Sequence, residues 1–319
     1  AGRGANRAIP TEILETVPAT RVAGRGPVNR LVFEAMLRRA PSVQKFWDSH
    51  RQLLSDAWRE WEAVEQDDLA ILDSGLIDEA LRTAVKQAWE NPERETDVKA
   101  LMTEVATDVY QCQLFDVERI ADLRNMLEQA WDAGIPLRPP YGIVLNRRGA
   151  MLDRRSEGYL AAPSFQAFYQ QLLDTYMRPI SRLLFPEIIG YDSQSFGFSI
   201  HYQPTTDASI RPHTDASSVT LNINMNLPDE TFEGSELDVL DAASGDAVRF
   251  SFTPGSAMLH RCNVPHAAQP ITSGQRSNLV LWLYGEQGQI PPQGAQRRAI
   301  PARDRWVASS AEQDDFAPF

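Results

Sequence analysis

The stretch His213–Leu227, HTDASSVTLNINMNL, carries both the clearest fold signal and the clearest site signal of this 319-residue chain. From Val219 onward, hydrophobic residues at odd-numbered positions alternate with Thr or Asn at even-numbered positions. A period of two is typical of a β-strand, in which successive side chains point to opposite faces. His213 and Asp215 lie just before this alternation, two residues apart. On an extended segment, that spacing predicts that the imidazole and the carboxylate share one face.

The same alternation recurs on both sides of this stretch. Upstream, Ser195–Tyr202 alternates aromatic or aliphatic residues with small or polar ones. Downstream, shorter runs are separated by Gly, Pro and Asp, which favour turns. These runs are Leu237–Leu240, Ala247–Phe252, Ser256–His260 and Asn278–Tyr284. Several short strands at close spacing predict a sandwich or barrel, not a fold of alternating strands and helices.

The first hundred residues have helical periodicity instead. After an irregular arm up to residue 40, one helix is predicted from Pro41, a second over Leu76–Trp89 and a third over Val98–Val105. The predicted division of the chain is an extended arm and helical N-terminal extension at 1–107, a mainly β domain at 108–285 and an irregular C-terminal tail at 286–319.

The segment between the extension and the alternating strands mixes both patterns. Val109–Phe115 is predicted to be a strand, and Asp116 to be the N-cap of the helix that follows it. Tyr141–Leu152 has the pattern of a hairpin. Ser164–Met177 is predicted to be an amphipathic helix that Pro179 kinks or ends.

Two further residues extend the His213 and Asp215 pair into a candidate site. His266 follows Asp215 by 51 residues, and Arg276 follows by ten more. Two imidazoles and one carboxylate, with the other metal positions open, are the ligand set of non-haem Fe(II) oxygenases. A planar guanidinium can bind a carboxylate through two hydrogen bonds. The alternative, a surface His-x-Asp pair and an unrelated core histidine, leaves the order and spacing of these residues unexplained.

The other polar residues give weaker signals. Thr220, Asn222 and Asn224 form a polar stripe that is either a solvated sheet face or the wet wall of a cavity, and both interpretations stay open. The remaining histidines are predicted to be structural, with a second-shell position as the alternative for the last of them. They are His50, His201 and His260.

Composition excludes some classes of function. The net charge of −12 argues against nucleic-acid binding, which relies on a basic surface. Cys112 and Cys262 are the only cysteines, so a disulfide framework is not expected and the cytoplasm or another reducing compartment is predicted. No apolar run has the length of a membrane span, and no membrane partner is expected. The chain begins at Ala1, so an upstream segment with any targeting signal is expected to have been removed.

Several motifs together resemble one known family. His213–Asn222 (HTDASSVTLN), Pro254–Arg261 (PGSAMLHR) and Ser273–Leu279 (SGQRSNL) are similar to the Fe(II)/2-oxoglutarate-dependent dioxygenases, in particular to catalytic domains of the prolyl/lysyl-hydroxylase type. Phe232–Leu237 (FEGSEL) resembles the family's following turn, with Ser235 where a second glycine is usual. The resemblance covers roughly residues 109–285 and does not reach the helical extension or the tail.

The resemblance implies a mainly β fold with a helical extension, namely a double-stranded β-helix, or jelly roll, flanked by α-helices. It also implies that His213, Asp215 and His266 hold Fe(II), and that Arg276 pairs with the far carboxylate of 2-oxoglutarate. Tyr202 corresponds to a tyrosine that often contacts the same carboxylate. Three amides join these as candidates for contact with the cosubstrate: Asn222, Asn224 and Asn278.

The implied reaction is hydroxylation of a C–H bond with O2, in which 2-oxoglutarate is converted to succinate and CO2 and ascorbate serves as a reductant. Asp215 argues against halogenation, since related halogenating enzymes leave that position vacant for a halide. The expected substrate is a peptidyl Pro or Lys, with a free amino acid or a natural product as the alternative. A jelly-roll binding module without turnover is the non-enzymatic alternative. The helical extension is expected to shape the substrate side of the pocket or to form a partner surface, and desaturation and the oligomeric state stay open.

Overall fold

The structure is a computed structural model that describes residues 41–64, 72–136, 163–205, 208–292, 294–295, 297 and 299–308. These residues belong to one unit, Arg39–Phe319. The arm predicted up to residue 40 and the hairpin predicted at Tyr141–Leu152 lie outside the described residues. Within the described ranges, no helix is both long and apolar enough to cross a membrane.

The described strands form two main antiparallel sheets and one two-stranded sheet. In chain order they are β1 (Thr103–Ala106), β2 (Val109–Gln113), β3 (Gln194–Tyr202), β4 (Ile210–His213), β5 (Val219–Asn224), β6 (Glu233–Gly234), β7 (Leu237–Leu240), β8 (Ala247–Phe250), β9 (Ser256–Arg261), β10 (His266–Ala268), β11 (Ile271–Ser273) and β12 (Arg276–Tyr284). The larger sheet has the order β1-β2-β9-β5-β12-β3 and the smaller one β4-β10-β7-β8, while β11 pairs with β6.

The pairing of the strands is nested. β3 pairs with β12, β4 with β10, β5 with β9 and β7 with β8, all antiparallel. These pairs alternate between the two sheets, as they would if one long hairpin closed by β7 and β8 were rolled up. That topology is the double-stranded β-helix, or jelly roll. The predicted fold class is therefore confirmed.

Helices flank this β core. They are α1 (Pro41–Val64), α2 (Glu79–Glu90), α3 (Glu95–Ala100), α4 (Ile120–Asp132), α5 (Pro163–Gln171), α6 (Arg178–Leu184) and α7 (Ala302–Arg305), with a π-helical segment at Leu172–Met177 and 3-10 turns at Ser74–Leu76, Pro92–Arg94 and Pro186–Ile188. The outer face of β3 packs on α5, because a side chain at Gly197 would meet the Tyr169 ring at 2.9 Å. The even-numbered residues of β3 therefore face the interior of the jelly roll.

The helix predicted over Val98–Val105 is wrong in its second half. Helix α3 ends at Ala100, and the next residues form β1, which pairs with β2. Asp108 has a left-handed backbone, with φ of 63°, and makes the tight turn between the two strands. Short hydrophobic runs do not distinguish helix from strand, and here pairing with β2 determines the strand. Likewise, α4 begins at Ile120, and Asp116 accepts a hydrogen bond from the Glu118 amide (2.8 Å) instead of capping the helix.

Pro179 does not end the helical run, which is one of the two outcomes predicted for it, and a change of helical pitch precedes it instead. The π-helical segment Leu172–Met177 leads directly into α6, which has Pro179 at its start. In a regular α-helix the Thr175 carbonyl would accept from residue 179, but proline has no N–H. The Trp89 indole donates to that carbonyl instead, at 3.0 Å. The side chain of a distant helix thus supplies the hydrogen bond that Pro179 cannot make.

A buried carboxylate joins α3 to the C-terminal segment. Glu95 is 8% exposed. It accepts from two nitrogens of Arg305 and, at 3.0 Å, from the Trp306 indole. The Trp306 ring also packs edge-on against Trp89, with ring centroids 5.7 Å apart. The segment around Trp306 is therefore fixed to the helical part of the chain.

Replacing Glu95 with Gln is expected to lower the free energy of unfolding by about 3 kcal/mol, because removal of one partner from a buried ion pair leaves an uncompensated charge. Urea unfolding followed by tryptophan fluorescence measures this loss. Glu93→Gln is the matched control, since Glu93 is exposed. Its effect should stay within about 0.5 kcal/mol, as at most surface positions. Equal free energies of unfolding of the two variants would show that the charge on Glu95 does not contribute to stability through Arg305.

Candidate metal and anion site

The strand pairing brings three candidate metal ligands together. His213 ends β4 and His266 begins β10, and the two residues are direct partners in the ladder. Asp215 lies in the turn that leads to β5. Its Oδ1 atom is 3.5 Å from His213 Nε2 and 3.9 Å from His266 Nε2. One ligand atom from each of these residues lies within 4.8 Å of the others, so a single cation could contact all three.

Backbone carbonyls orient both imidazoles. His213 Nδ1 lies 2.8 Å from the Arg211 carbonyl and His266 Nδ1 lies 3.1 Å from the Val264 carbonyl. A carbonyl oxygen can only accept, so each Nδ1 carries the hydrogen and each Nε2 has a free lone pair. Both lone-pair nitrogens are the atoms nearest to Asp215. This is the tautomer that a metal ligand requires.

The charges of the three groups also suit a cation. Burial lowers the pKa of His213 and of His266, which keeps both rings neutral near pH 7. Burial alone would raise the pKa of Asp215, but the neighbouring histidines and a hydrogen bond from Thr220 outweigh it and hold that pKa below its ordinary value. Neutral imidazoles and an ionised carboxylate are the forms that bind metals.

His260 also lies against this group, which corrects the prediction of a mainly structural histidine. Its Nε2 atom is 3.6 Å from Asp215 Oδ2, and its ring centroid is 4.6 Å from that of His266. His260 Nδ1 donates to the Arg261 carbonyl at 3.0 Å. The sequence could have indicated this contact only through the strand register, in which His260 is the ladder partner of Thr220 on the inner face.

Arg276 is a fully buried cation that lies against two aromatic rings. Its side chain is 0% exposed, and none of its three guanidinium nitrogens makes a hydrogen bond among the described residues. The Cζ atom lies 4.2 Å from the centre of the Tyr202 ring and 5.0 Å from that of Phe252. Burial lowers the pKa of Arg276, although the Tyr202 phenol opposes the shift. A desolvated guanidinium between two rings is a site for an anion.

Tyr202 and Phe252 differ in how far the sequence predicts them. Tyr202 is the direct ladder partner of Arg276, and both side chains are on the inner face of the larger sheet. Burial raises the pKa of Tyr202, so its phenol stays protonated and can donate. Phe252 was missed by the sequence analysis, because it follows β8 in the smaller sheet and only the closure of the jelly roll brings it to Arg276.

The polar stripe of β5 lines the interior and not a solvated face. Asn224 and Asn278 are buried and are direct ladder partners. The Asn224 amide donates to Asn278 Oδ1 at 3.3 Å and to Asn226 Oδ1 at 3.1 Å. Asn278 in turn donates to Asn222 Oδ1 at 2.6 Å. Asn222 is only partly buried, and since its oxygen is engaged, its amide group offers donors to the cavity.

These polar groups follow one another along the inner wall. Thr220 hydrogen bonds Asp215 at one end of β5, and Asn222 and Asn224 continue along the same strand. On β12, Arg276 lies two residues from Asn278, the partner of Asn224. The wall therefore runs from the metal-ligand candidates, through amide donors, to the buried guanidinium of Arg276.

Comparison with known proteins supports the predicted resemblance. No family model matches the chain. It is 27% identical over 203 residues to the 2-oxoglutarate and iron-dependent oxygenase domain-containing protein ICU11 of Arabidopsis thaliana, which covers 59% of this chain and 48% of that protein. The 2-oxoglutarate and iron-dependent oxygenase domain-containing protein 2 of Danio rerio is 29% identical over 197 residues, 58% of this chain and 52% of that protein. The resemblance to 2-oxoglutarate- and iron-dependent oxygenases is confirmed.

A shorter match concerns a protein whose name states its substrate. The multifunctional procollagen lysine hydroxylase and glycosyltransferase LH3 of Homo sapiens is 36% identical over 118 residues, which is 35% of this chain and 15% of that protein. The chain thus spans about half the length of the two oxygenase-domain relatives and a small part of LH3. The similarity therefore leaves about half of each oxygenase-domain relative and most of LH3 without a counterpart in this chain.

Proposed function

We propose that the chain is an Fe(II)- and 2-oxoglutarate-dependent oxygenase that hydroxylates a C–H bond and releases succinate and CO2. One observation carries this proposal. The two-histidine, one-carboxylate group lies beside Thr220 of β5, and the buried Arg276, whose guanidinium makes no hydrogen bond among the described residues, lies on the neighbouring strand β12, as a keto acid with a second carboxylate would require. A non-catalytic module has no need for both features.

The residues present fit a ferrous ion. His213, Asp215 and His266 would hold it, and three protein ligands leave positions open for a cosubstrate and for dioxygen. When bound, iron and 2-oxoglutarate supply the oxidising chemistry, in which O2 decarboxylates the keto acid and an oxygen atom is transferred to the substrate. The protein supplies orientation of the ligand groups through the carbonyls of Arg211 and Val264.

Arg276 and Tyr202 would bind the far carboxylate of 2-oxoglutarate. The guanidinium offers a planar pair of donors, and the protonated phenol offers one more. Because the Tyr202 and Phe252 rings cover the guanidinium, water does not screen the charge pair. The carboxylate would also supply the hydrogen-bond acceptors that Arg276 lacks among the described residues.

The three asparagines predicted to contact the cosubstrate would have two different roles, direct binding and orientation of a neighbour. Asn222 is only partly buried and its oxygen already accepts from Asn278, so its amide hydrogens would donate to an oxygen of the cosubstrate or substrate. Asn224 and Asn278 are engaged with other amides and would act by fixing Asn222. We therefore assign direct contact to Asn222 and orientation to the other two.

A peptidyl Pro or Lys is the proposed substrate, with a free amino acid or a natural product as the second candidate. The partial similarity to a procollagen lysine hydroxylase supports the first. The proposed role of the extension at 1–107 is to shape the substrate side of the cavity.

We also propose a reducing compartment such as the cytoplasm, supported by two buried cysteines that form no disulfide. Burial raises the pKa of Cys112 to about 12, so this thiol is not poised for disulfide exchange.

The proposal is tested by substrate-stimulated formation of succinate. The purified chain is supplied with Fe(II), 2-oxoglutarate, O2 and ascorbate, and challenged in parallel with Pro- or Lys-containing peptides and with amino-acid and metabolite pools. We expect one pool to stimulate succinate release and to yield a product heavier by one oxygen atom. A chain that binds no iron and forms no succinate with any pool would instead be a jelly-roll binding module.

A further inference from the structure

The two carboxylate oxygens of Asp215 have different surroundings. Oδ1 faces the Nε2 atoms of His213 and His266, at 3.5 and 3.9 Å. Oδ2 lies 2.6 Å from the Thr220 hydroxyl and 3.6 Å from His260 Nε2. Only Oδ1 is therefore directed at the position that the two imidazole lone pairs share.

The direction of the Thr220 hydrogen bond follows from the chemistry of its partners. An ionised carboxylate only accepts, so the Thr220 hydroxyl donates to Asp215 Oδ2. Threonine has a single hydroxyl hydrogen, and therefore Ser217, whose Oγ lies 2.9 Å from Thr220 Oγ1, must donate to Thr220. Both hydroxyl groups are buried. The order Ser217 to Thr220 to Asp215 leaves neither hydroxyl without an acceptor.

The backbone around Asp215 is already anchored. The Ser218 amide donates to the Leu283 carbonyl at 2.6 Å. The Ser218 carbonyl accepts from Arg261 at 2.9 Å, and Arg261 is itself paired with Glu187 at 3.2 Å. Ser218, three residues after Asp215, is thus held through both its amide and its carbonyl, and rotation of the Asp215 side chain is the freedom that a neighbouring hydrogen-bond donor can restrict. Thr220 is the neighbour that donates a hydrogen bond against this rotation.

We propose that Thr220 is a positioning residue that holds Oδ2 of Asp215 away from the metal, so that Asp215 binds through Oδ1 alone. This inference rests on the metal site proposed above. A carboxylate with one oxygen engaged occupies one metal position, whereas a freely rotating carboxylate can occupy two or turn away. Thr220 thus preserves the open positions that the proposed reaction needs.

The test uses Co(II) alone as a probe, because its visible absorption reports coordination and its binding requires no turnover. Thr220→Val removes the hydroxyl and keeps the shape, and it should raise the Kd for Co(II) by about 10- to 100-fold, as loss of an outer-shell partner does. It should also change the shape of the absorption band. Thr220→Ser keeps the donor and should bind Co(II) within about threefold of the parent chain.

Thr272→Val is the matched control, since the Thr272 hydroxyl is exposed and donates to the Glu233 carbonyl. If Thr220→Val does not fold, Thr220→Ala and Thr220→Ser give the same comparison, because both lack the methyl group and only Ser has the hydroxyl. Parent-like affinity and absorption in Thr220→Val, or equal weakening in the Ser and Ala variants, would overturn the proposal. His213→Ala distinguishes failure of the positioning role of Thr220 from failure of the proposed metal site. If it loses Co(II) while Thr220→Val does not, only the positioning role fails, and if the parent chain binds no Co(II), the proposed function fails as well.

Discussion

Replacing His213 with Ala is expected to abolish binding of Fe(II) and all turnover. The variant keeps Asp215 and His266 but loses one of the three ligand atoms that lie within 4.8 Å of one another. Two ligands do not define a metal site. Loss of a residue that only supports a ligand can raise the Kd for the metal by about 100-fold, and loss of the ligand itself should raise it further. Anaerobic titration with Fe(II), followed by metal analysis after desalting, measures the effect.

His50→Ala is the control for this experiment. His50 lies on α1 and not among the candidate ligands, so its replacement should leave iron content unchanged. Circular dichroism of both variants checks that the fold is retained. Iron retained by His213→Ala at the parent level would remove His213 from the metal site, and with it the geometric basis of the proposed function.

Replacing Arg276 with Ala is expected to raise the apparent Kd for 2-oxoglutarate by roughly 30-fold or more, because loss of a desolvated, hydrogen-bonded charge partner costs about 2–5 kcal/mol. Arg276→Lys should recover only part of the affinity, since an ammonium group lacks the planar pair of donors. Isothermal titration with the Co(II)-loaded protein, in the absence of O2, measures binding without turnover.

Arg276→Met adds a test in the absence of ligand. The parent guanidinium is buried and makes no hydrogen bond among the described residues, so a hydrophobic side chain of similar length should not lower stability. We expect Arg276→Met to melt at or above the parent temperature without ligand, and 2-oxoglutarate to raise the Tm of the parent alone. A large loss of stability in Arg276→Met would mean that the cation has a structural partner. An unchanged titration in the Ala variant would remove Arg276 from the cosubstrate site.

The sequence allowed the strands of the jelly roll to be predicted because their pattern is local. Ser195–Tyr202 and Val219–Leu227 alternate with period two, and Ser195–Tyr202 and Val219–Asn224 lie in strands of the larger sheet with one face toward the interior. Patterns that depend on a partner were harder to interpret. Residues Thr103–Val105 were predicted to be helical because their pairing with β2 cannot be read from their own composition. The hydrogen bond from the Trp89 indole to the Thr175 carbonyl, in the π-helical segment before Pro179, likewise joins residues that are far apart in the chain.

The candidate site likewise has residues that the local sequence could indicate and contacts that it could not. His213, Asp215, His266 and Arg276 could be proposed from residue type, order and spacing, because metal and carboxylate chemistry restrict the usable side chains. The contact of His260 with Asp215 and the ring of Phe252 over Arg276 could not, because each joins residues far apart in the chain. For the polar stripe of β5, alternation predicts a polar face but does not say whether that face meets water or a cavity.

The sequence by itself determined the strand pattern, the residue types of the candidate ligands and the charge of Arg276, since these depend on side-chain chemistry and on a period of two. Only the tertiary structure decided which atoms of these residues lie close together. The nested pairing placed His266 opposite His213, buried Arg276 between two rings and aligned Thr220 with one oxygen of Asp215. The physical reason is that burial and hydrogen-bond direction are properties of neighbours in space, which chain closure brings together and local sequence does not encode.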